Sequence, residues 1–158
     1  MAVDAFLKMD VKGESVVDGH EESIQILSWS WGMSQTGTTH RGTGGGAGKV
    51  DVQDLSFTHY VDSASPTLIM ACCNGKHFEE AVLTVRKAGE KPLDYLILTM
   101  TDVIITSVSP GGASGDELIT ENVTLNFSKY KLAYQPQDNK GAKAGGAIEV
   151  EYDIAKNV

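Results

Sequence analysis

The chain has 158 residues, enough for one domain with a true core and short for two. At 41% hydrophobic and 22% charged residues, the composition is neither that of a disordered segment nor that of a membrane protein, and no apolar run approaches the roughly 20 residues that span a bilayer. A net charge of -8 argues against nucleic acid and anionic membrane as partners, since both demand clustered lysine and arginine.

The first residues, MAVDAFLKMD, carry no basic region followed by an apolar stretch, so no classical export signal is expected. Ala5–Val11 reads as an opening strand, with Lys12 and Gly13 as its turn. Ser23–Ser34 is the second. It places Leu27, Trp29, Trp31 and Met33 on one face and Ser28, Ser30, Gly32 and Ser34 on the other, the period of a strand with one buried face. Trp29 and Trp31 are therefore expected as core anchors. The opposite face carries small neutral residues where a solvent-facing strand usually carries Lys, Glu or Thr. Two readings stand equal: a surface that something passes over, or small residues that fit a crowded sheet.

The run Gly42–Lys49 resembles a phosphate loop in glycine content only. The glycine required five positions before Gly48 is Thr43, the residue after Lys49 is Val50, and a strand pattern follows where a helix is needed. Nucleotide binding is rejected, leaving a linker or an arm that orders on a partner. Val50–Val61 then alternates as a strand. Ser65 and Pro66 form an N-cap and first helical position, Leu68, Ala71 and Cys72 recur at helical spacing, and Asn74-Gly75 stops a short helix over Pro66–Asn74. A strand through Ala81, Leu83 and Val85 closes at Ala88-Gly89. Leu93–Val108 is a long strand, and Pro110–Gly115 turns it into its partner Thr120–Tyr134. In that partner the apolar set moves from Val123, Leu125 and Phe127 to Tyr130, Leu132 and Tyr134, which predicts a β-bulge near Ser128-Lys129. Ala147–Ala155 ends the chain in alternation. Many strands with one helix predict an all-β sandwich or barrel with a lateral helix, in a single domain over 1–158.

Chemistry is not signalled. The histidines His20, His40, His59 and His77 are scattered, and Cys73 and His77 lack the second ligand pair of a strong zinc signature. Cys72 and Cys73 are adjacent, a poor geometry for a disulfide, and read as small core hydrophobes of a protein folded in a reducing compartment, the cytoplasm. No Gly-x-Ser-x-Gly elbow or His-Glu-x-x-His motif occurs, so no enzyme activity, metal or cofactor is expected. A monomeric small-molecule carrier barrel is the alternative to a structural role. It requires large apolar residues on both faces of several strands, against which Ser28 and Ser30 argue.

The blocks SWSWGMSQTG, GGGAGKVDVQDLSFTHYVD, SPTLIMACCNGKHF, LTVRKAGEKPLDYL and ITENVTLNFSKYKLAYQP, in this order and spacing, resemble the haemolysin-coregulated protein (Hcp) family, the tube subunits of bacterial type VI secretion systems. The similarity runs over nearly the whole chain. It implies an all-β, two-sheet, barrel-like fold with a helix on its flank, and a homohexamer forming a ring with a wide pore. It further implies stacked rings within a contractile sheath, a spike protein at the tip, and small effector proteins held and protected in the pore. Such a subunit resides in the bacterial cytoplasm until firing secretes it. By the resemblance, Ser28 and Ser30 line the pore. The arm that reaches the adjacent ring is Thr36, Gly37, Thr38, Thr39, His40, Arg41, Gly42, Thr43, Gly44, Gly45, Gly46, Ala47, Gly48 and Lys49. With the chain ending at Val158, no toxin domain fused after the tube domain is expected.

Overall fold

The computed structural model of the chain describes residues 3–37, 49–89 and 91–158. In chain order the elements are β1 (Val3–Lys8), β2 (Ile24–Ile26), β3 (Ser28–Ser30), β4 (Met33–Ser34), β5 (Asp51–Val52), β6 (Leu55–Tyr60), α1 (Ser65–Asn74), β7 (His77–Lys87), β8 (Leu93–Gly111), β9 (Thr120–Tyr134) and β10 (Ile148–Asp153). Seven strands lie side by side as β2-β1-β7-β8-β9-β6-β3, with β10 added to β9. The two ends of this order, β2 and β3, are consecutive in the chain and separated only by Leu27, whose N–H donates to the Thr58 carbonyl at 2.8 Å. The sheet therefore curls until its ends meet, giving the nearly closed barrel that the all-β reading anticipated. Its interior is filled by Leu7, Leu55, Phe57, Leu83, Leu98, Met100, Val123 and Leu125, none more than 1% exposed.

The expected second strand is three. Residues 24–26 pair with β1, 28–30 with β6, and 33–34 with β5. Splitting the segment changes what its apolar side chains meet. Leu27, Trp29 and Met33 are 49%, 36% and 45% exposed, and of this set only Trp31 packs against the core. Its ring lies 4.8 Å from that of Tyr130, edge to face. The expectation of Trp29 as a core anchor is thus corrected. Strand alternation puts it on the core face, but β3 lies at the sheet margin, and no described strand lies beyond it to bury the indole. The predicted strand Val50–Val61 also breaks, at Gln53-Asp54, into β5 and β6.

The parity change in β9 is present, but it is not a bulge at Ser128-Lys129. Buried residues skip from Phe127 to Tyr130 in β9, from Met100 to Val103 in β8, and from Phe78 to Ala81 in β7. These positions are in register across the three strands, Phe78↔Val103↔Phe127 and Ala81↔Met100↔Tyr130, with no shift between them. At the centre Asp102 drops out of both ladders and takes a left-handed φ of 57°, a conformation that Asp tolerates better than most side chains. One fold line crosses three strands and bends them together. True register shifts occur elsewhere, between Val85 and Arg86 and between Ile105 and Ser107.

Helix α1 packs beside β8, with Leu68 and Ala71 buried, and ends at Gly75 with φ 67°, the stop that Asn74-Gly75 predicted. Its start differs from the expected cap. The capping position is Ala64, and the turn is held instead by Asp62, whose Oδ1 accepts the Ala64 N–H at 2.9 Å while its own N–H donates to Ser65 Oγ at 3.1 Å. Cys72 packs against the core as expected, whereas Cys73 is exposed, because the two neighbours point to different sides of the helix.

Between β1 and β2 the chain folds back on itself. Gly13 donates to the Glu22 carbonyl at 2.7 Å, and Ser15 N–H to the Ser23 carbonyl at 3.1 Å. A Cβ at Gly13 would stand 2.4 Å from the Ser23 carbonyl oxygen and 2.7 Å from the Ile24 nitrogen. Both are backbone atoms that cannot rotate away. Gly13→Ala is therefore expected to destabilise the subunit by about 1–3 kcal/mol, read as a lower urea midpoint at unchanged slope. A midpoint equal to that of the parent would show that this segment gives way freely.

Candidate functional site: a neutral polar wall

The outer faces of four adjacent strands, β3, β6, β9 and β8, share one chemistry. Antiparallel partners lie on the same side of a sheet. The ladder therefore aligns Ser28, Thr58, Asn122 and Ser109 in one row, and Ser30, Ser56, Thr124 and Ser107 in the next. All eight are short and uncharged, in a chain of net charge -8. Beneath each row the inward residues are large: Trp29, Phe57, Val123 and Val108 occupy the layer between them.

The wall spends much of its hydrogen-bonding capacity on itself. Thr58 Oγ1 donates to Asn122 Oδ1. The Thr124 hydroxyl lies 2.6 Å from both Ser107 Oγ and Thr106 Oγ1, and Thr106 Oγ1 donates to Asp54 Oδ2 at 2.7 Å. Asn126 donates to the other oxygen of Asp54 at 2.9 Å, so this carboxylate at the margin of the wall is engaged on both sides. A surface whose donors and acceptors already satisfy one another offers a passing macromolecule few strong contacts.

Both ends of the wall are open. Among the described residues no strand pairs with the outer edge of β3. At the other end β7 leaves β8 at Ile104, so Ile105–Gly111 has β9 on one side and no described strand on the other. Unpaired edges expose rows of N–H and C=O groups and are templates for another strand.

Sequence reasoning nominated Ser28 and Ser30, and the structure places both on this face, exposed. It missed Ser56, Thr58, Ser107, Ser109, Asn122 and Thr124. The signal was available, since the apolar alternation Leu55, Phe57, His59 and Val123, Leu125, Phe127 leaves the intervening Ser, Thr and Asn on the opposite face. Of the glycine-rich arm, Thr36, Gly37 and Lys49 are exposed, and Thr38–Gly48 lie outside the described residues. Its base is a short hairpin, with Met33↔Val52 and Ser34↔Asp51 paired. Among the described residues no cluster of His, Cys, Asp and Glu could hold a metal ion, and no helix is long and apolar enough to cross a membrane.

Fold and surface together define a barrel-like all-β protein with a lateral helix and an uncharged sheet face. The chain belongs to the Hcp family of type VI secretion proteins. The family model described as "Type VI secretion system effector, Hcp" matches residues 6–134. Protein hcp1 of Pseudomonas aeruginosa is 56% identical, over 100% of this chain and 99% of that protein. Hcp1 from Salmonella typhimurium, whose crystal structure is known, is 41% identical with a TM-score of 0.81, covering 100% of this chain and 99% of its own. A structure of a type six secretion system protein superposes with a TM-score of 0.93 at 29% identity, covering 99% of both chains.

Proposed function

We propose that this chain is the structural tube subunit of a type VI secretion system. In this reading, six copies close into a ring, the neutral wall faces the pore, and rings stack into the tube that is expelled. The observation that carries it is a four-strand neutral face with an unpaired edge at each end. Such a face is completed by joining β3 of one copy to the edge of β8 in the next, a heterologous contact that closes when repeated around an axis. Family membership supports the same reading. The exposed Trp29 and Leu27 at the β3 margin, and Ile148 and Val150 at 65% and 53% exposure on β10, are apolar surface of the kind that subunit contacts cover.

The arm Thr36–Lys49 is the element that contacts the adjacent ring, and β4 and β5 pair at its base. Small effectors ride in the pore against the hydroxyl wall, which shields them without binding them tightly. The spike protein and the contractile sheath are the remaining partners, and the subunit waits in the bacterial cytoplasm until firing exports it. A monomeric carrier for small molecules would need an apolar cavity, and the space inside the barrel is filled by Phe57, Leu83, Leu98 and their neighbours.

The test is light-scattering mass with negative-stain microscopy on the purified protein, followed by the Ser30→Glu variant. Six-subunit annuli with open centres are expected for both proteins, together with reduced effector retention for the variant, because a carboxylate would replace a small neutral side chain on the pore surface. A monomer without a pore would overturn the tube reading. Intact rings with unchanged effector export would remove the Ser28–Ser30 face from cargo contact.

A further inference from the structure

The three longest stretches of the chain without a charged residue or histidine are 23–39, 63–75 and 103–115. Two of them supply β3 and the free end of β8, the margins of the neutral wall. The third is α1 with its flanking turns, to which the tube reading gives no role. A solvent-facing helix side normally carries charged residues. On α1, Leu68 and Ala71 face the core, and the exposed positions include Ile69 at 41%, Met70 at 61% and Cys73. Ile69 and Cys73 stand four apart on one flank of the helix, while the exposed Thr67 and Asn74 take the other. Exposed apolar side chains in a stretch depleted of charge mark the centre of a subunit contact.

The path of the chain fixes where α1 lies. The chain leaves the wall at Tyr60, which is paired with Thr120 and level with Gly111 at the end of β8. It returns to β8 at His77, paired with Ile104. Between those two points runs α1, packed beside β8 on its core side, so the helix accompanies the stretch Ile105–Gly111 that no described strand covers. The ladders β3–β6, β6–β9 and β9–β8 are all antiparallel, which makes β3 and β8 run in opposite senses. Rotation about a pore axis preserves those senses. The β3 of a second copy therefore meets the free edge of β8 antiparallel, and the alternation of the sheet continues across the junction. Trp29 belongs to the inward layer with Phe57, Val123 and Val108, so across that junction it falls on the side of the sheet where α1 lies.

We propose that the Ile69–Cys73 flank of α1 is the docking surface for Trp29 of a second copy, closing over that indole once β3 joins β8. The inference rests on the tube reading, in which β3 of one copy joins the edge of β8 in the next. Both partners are apolar, uncharged and exposed in the lone subunit, Trp29 at 36% and Ile69 at 41%. A three-residue strand offers few ladder hydrogen bonds, so strand addition alone gives a weak junction. A large aromatic side chain covered by a helix supplies the buried anchor that such a junction lacks. The docking also accounts for an indole that alternates as a core residue and yet lies open to solvent. Its cover comes from another copy.

The test sets Ile69→Glu against Thr67→Glu, one charge on each flank of the same helix, with light-scattering mass over a dilution series and circular dichroism. The parent and Thr67→Glu should form six-subunit rings. Ile69→Glu should keep the parental spectrum and need at least about tenfold more protein to form rings. Rings that persist equally in Ile69→Glu, or that are lost in Thr67→Glu instead, would overturn the docking while leaving the tube reading intact. A parent that forms no rings would overturn both. Should Ile69→Glu fail to fold, cross-linking decides. In a Cys72→Ala background, Trp29→Cys treated with a short bismaleimide should join copies through Cys73 in a ladder ending at six, and adding Cys73→Ser should abolish it. Rings without that ladder would again overturn the proposal.

Discussion

Phe57→Ala should destabilise the subunit by about 3–5 kcal/mol, while Trp29→Ala, one strand away and directly opposite in the ladder, should cost only about 1–2 kcal/mol. The two aromatic residues are paired across β3 and β6 and point the same way. Phe57 is 1% exposed, closed over by Leu55, Val123 and the rest of the core, so its removal forfeits transfer energy and leaves a cavity. Trp29 is 36% exposed at the sheet margin, where solvent can fill the space a smaller side chain leaves. Urea unfolding at several protein concentrations separates this from assembly, because stability contributed by neighbouring copies varies with concentration and stability within one subunit does not. If a neighbouring copy covers Trp29, its variant should become strongly concentration-dependent while Phe57→Ala does not. Equal, concentration-independent losses would show that Trp29 belongs to the core.

Glu121→Ala is expected to be comparably severe, at about 3–5 kcal/mol, because it removes one member of a fully buried hydrogen-bonded pair, leaving His59 Nε2 without a partner and a cavity beside it. Glu121→Gln should be milder, since the amide preserves volume and an acceptor for His59 Nε2–H. Circular dichroism melts of the two variants side by side would resolve them. Equal stability for parent and alanine variant would mean that solvent reaches His59 and that the pair is not structural.

Much of the architecture could be read from local pattern. Alternation located β1, β7, β8, β9 and β10 to within a few residues, and the Pro66 and Asn74-Gly75 punctuation located α1. These signals are short-range, set by the two-residue period of a strand and by the left-handed stop that glycine allows. The neutral wall was half visible, through Ser28 and Ser30, because the alternation rule was applied to one strand and not carried across to β6, β8 and β9. The buried His59 was not visible at all. Its neighbours Phe57 and Val61 say only that it lies on the inward face, and a histidine among apolar residues reads the same with or without a carboxylate opposite.

By itself, then, the sequence determined the all-β class, the helix α1, the family and the want of any catalytic motif, since each of these is written in composition, period or ordered blocks of residues. What only the tertiary structure decided were properties that depend on which strands become neighbours. Pairing β3 with β6, and β6 with β9, turned scattered Ser, Thr and Asn residues into one continuous surface. The end of the sheet at β3 left Trp29 exposed although its alternation is that of a core residue. The approach of β9 to β6 brought Glu121 within 2.8 Å of a histidine 62 positions away. Burial and pairing are set by contacts distant in sequence, and a local pattern tells which face a residue occupies but not what covers it.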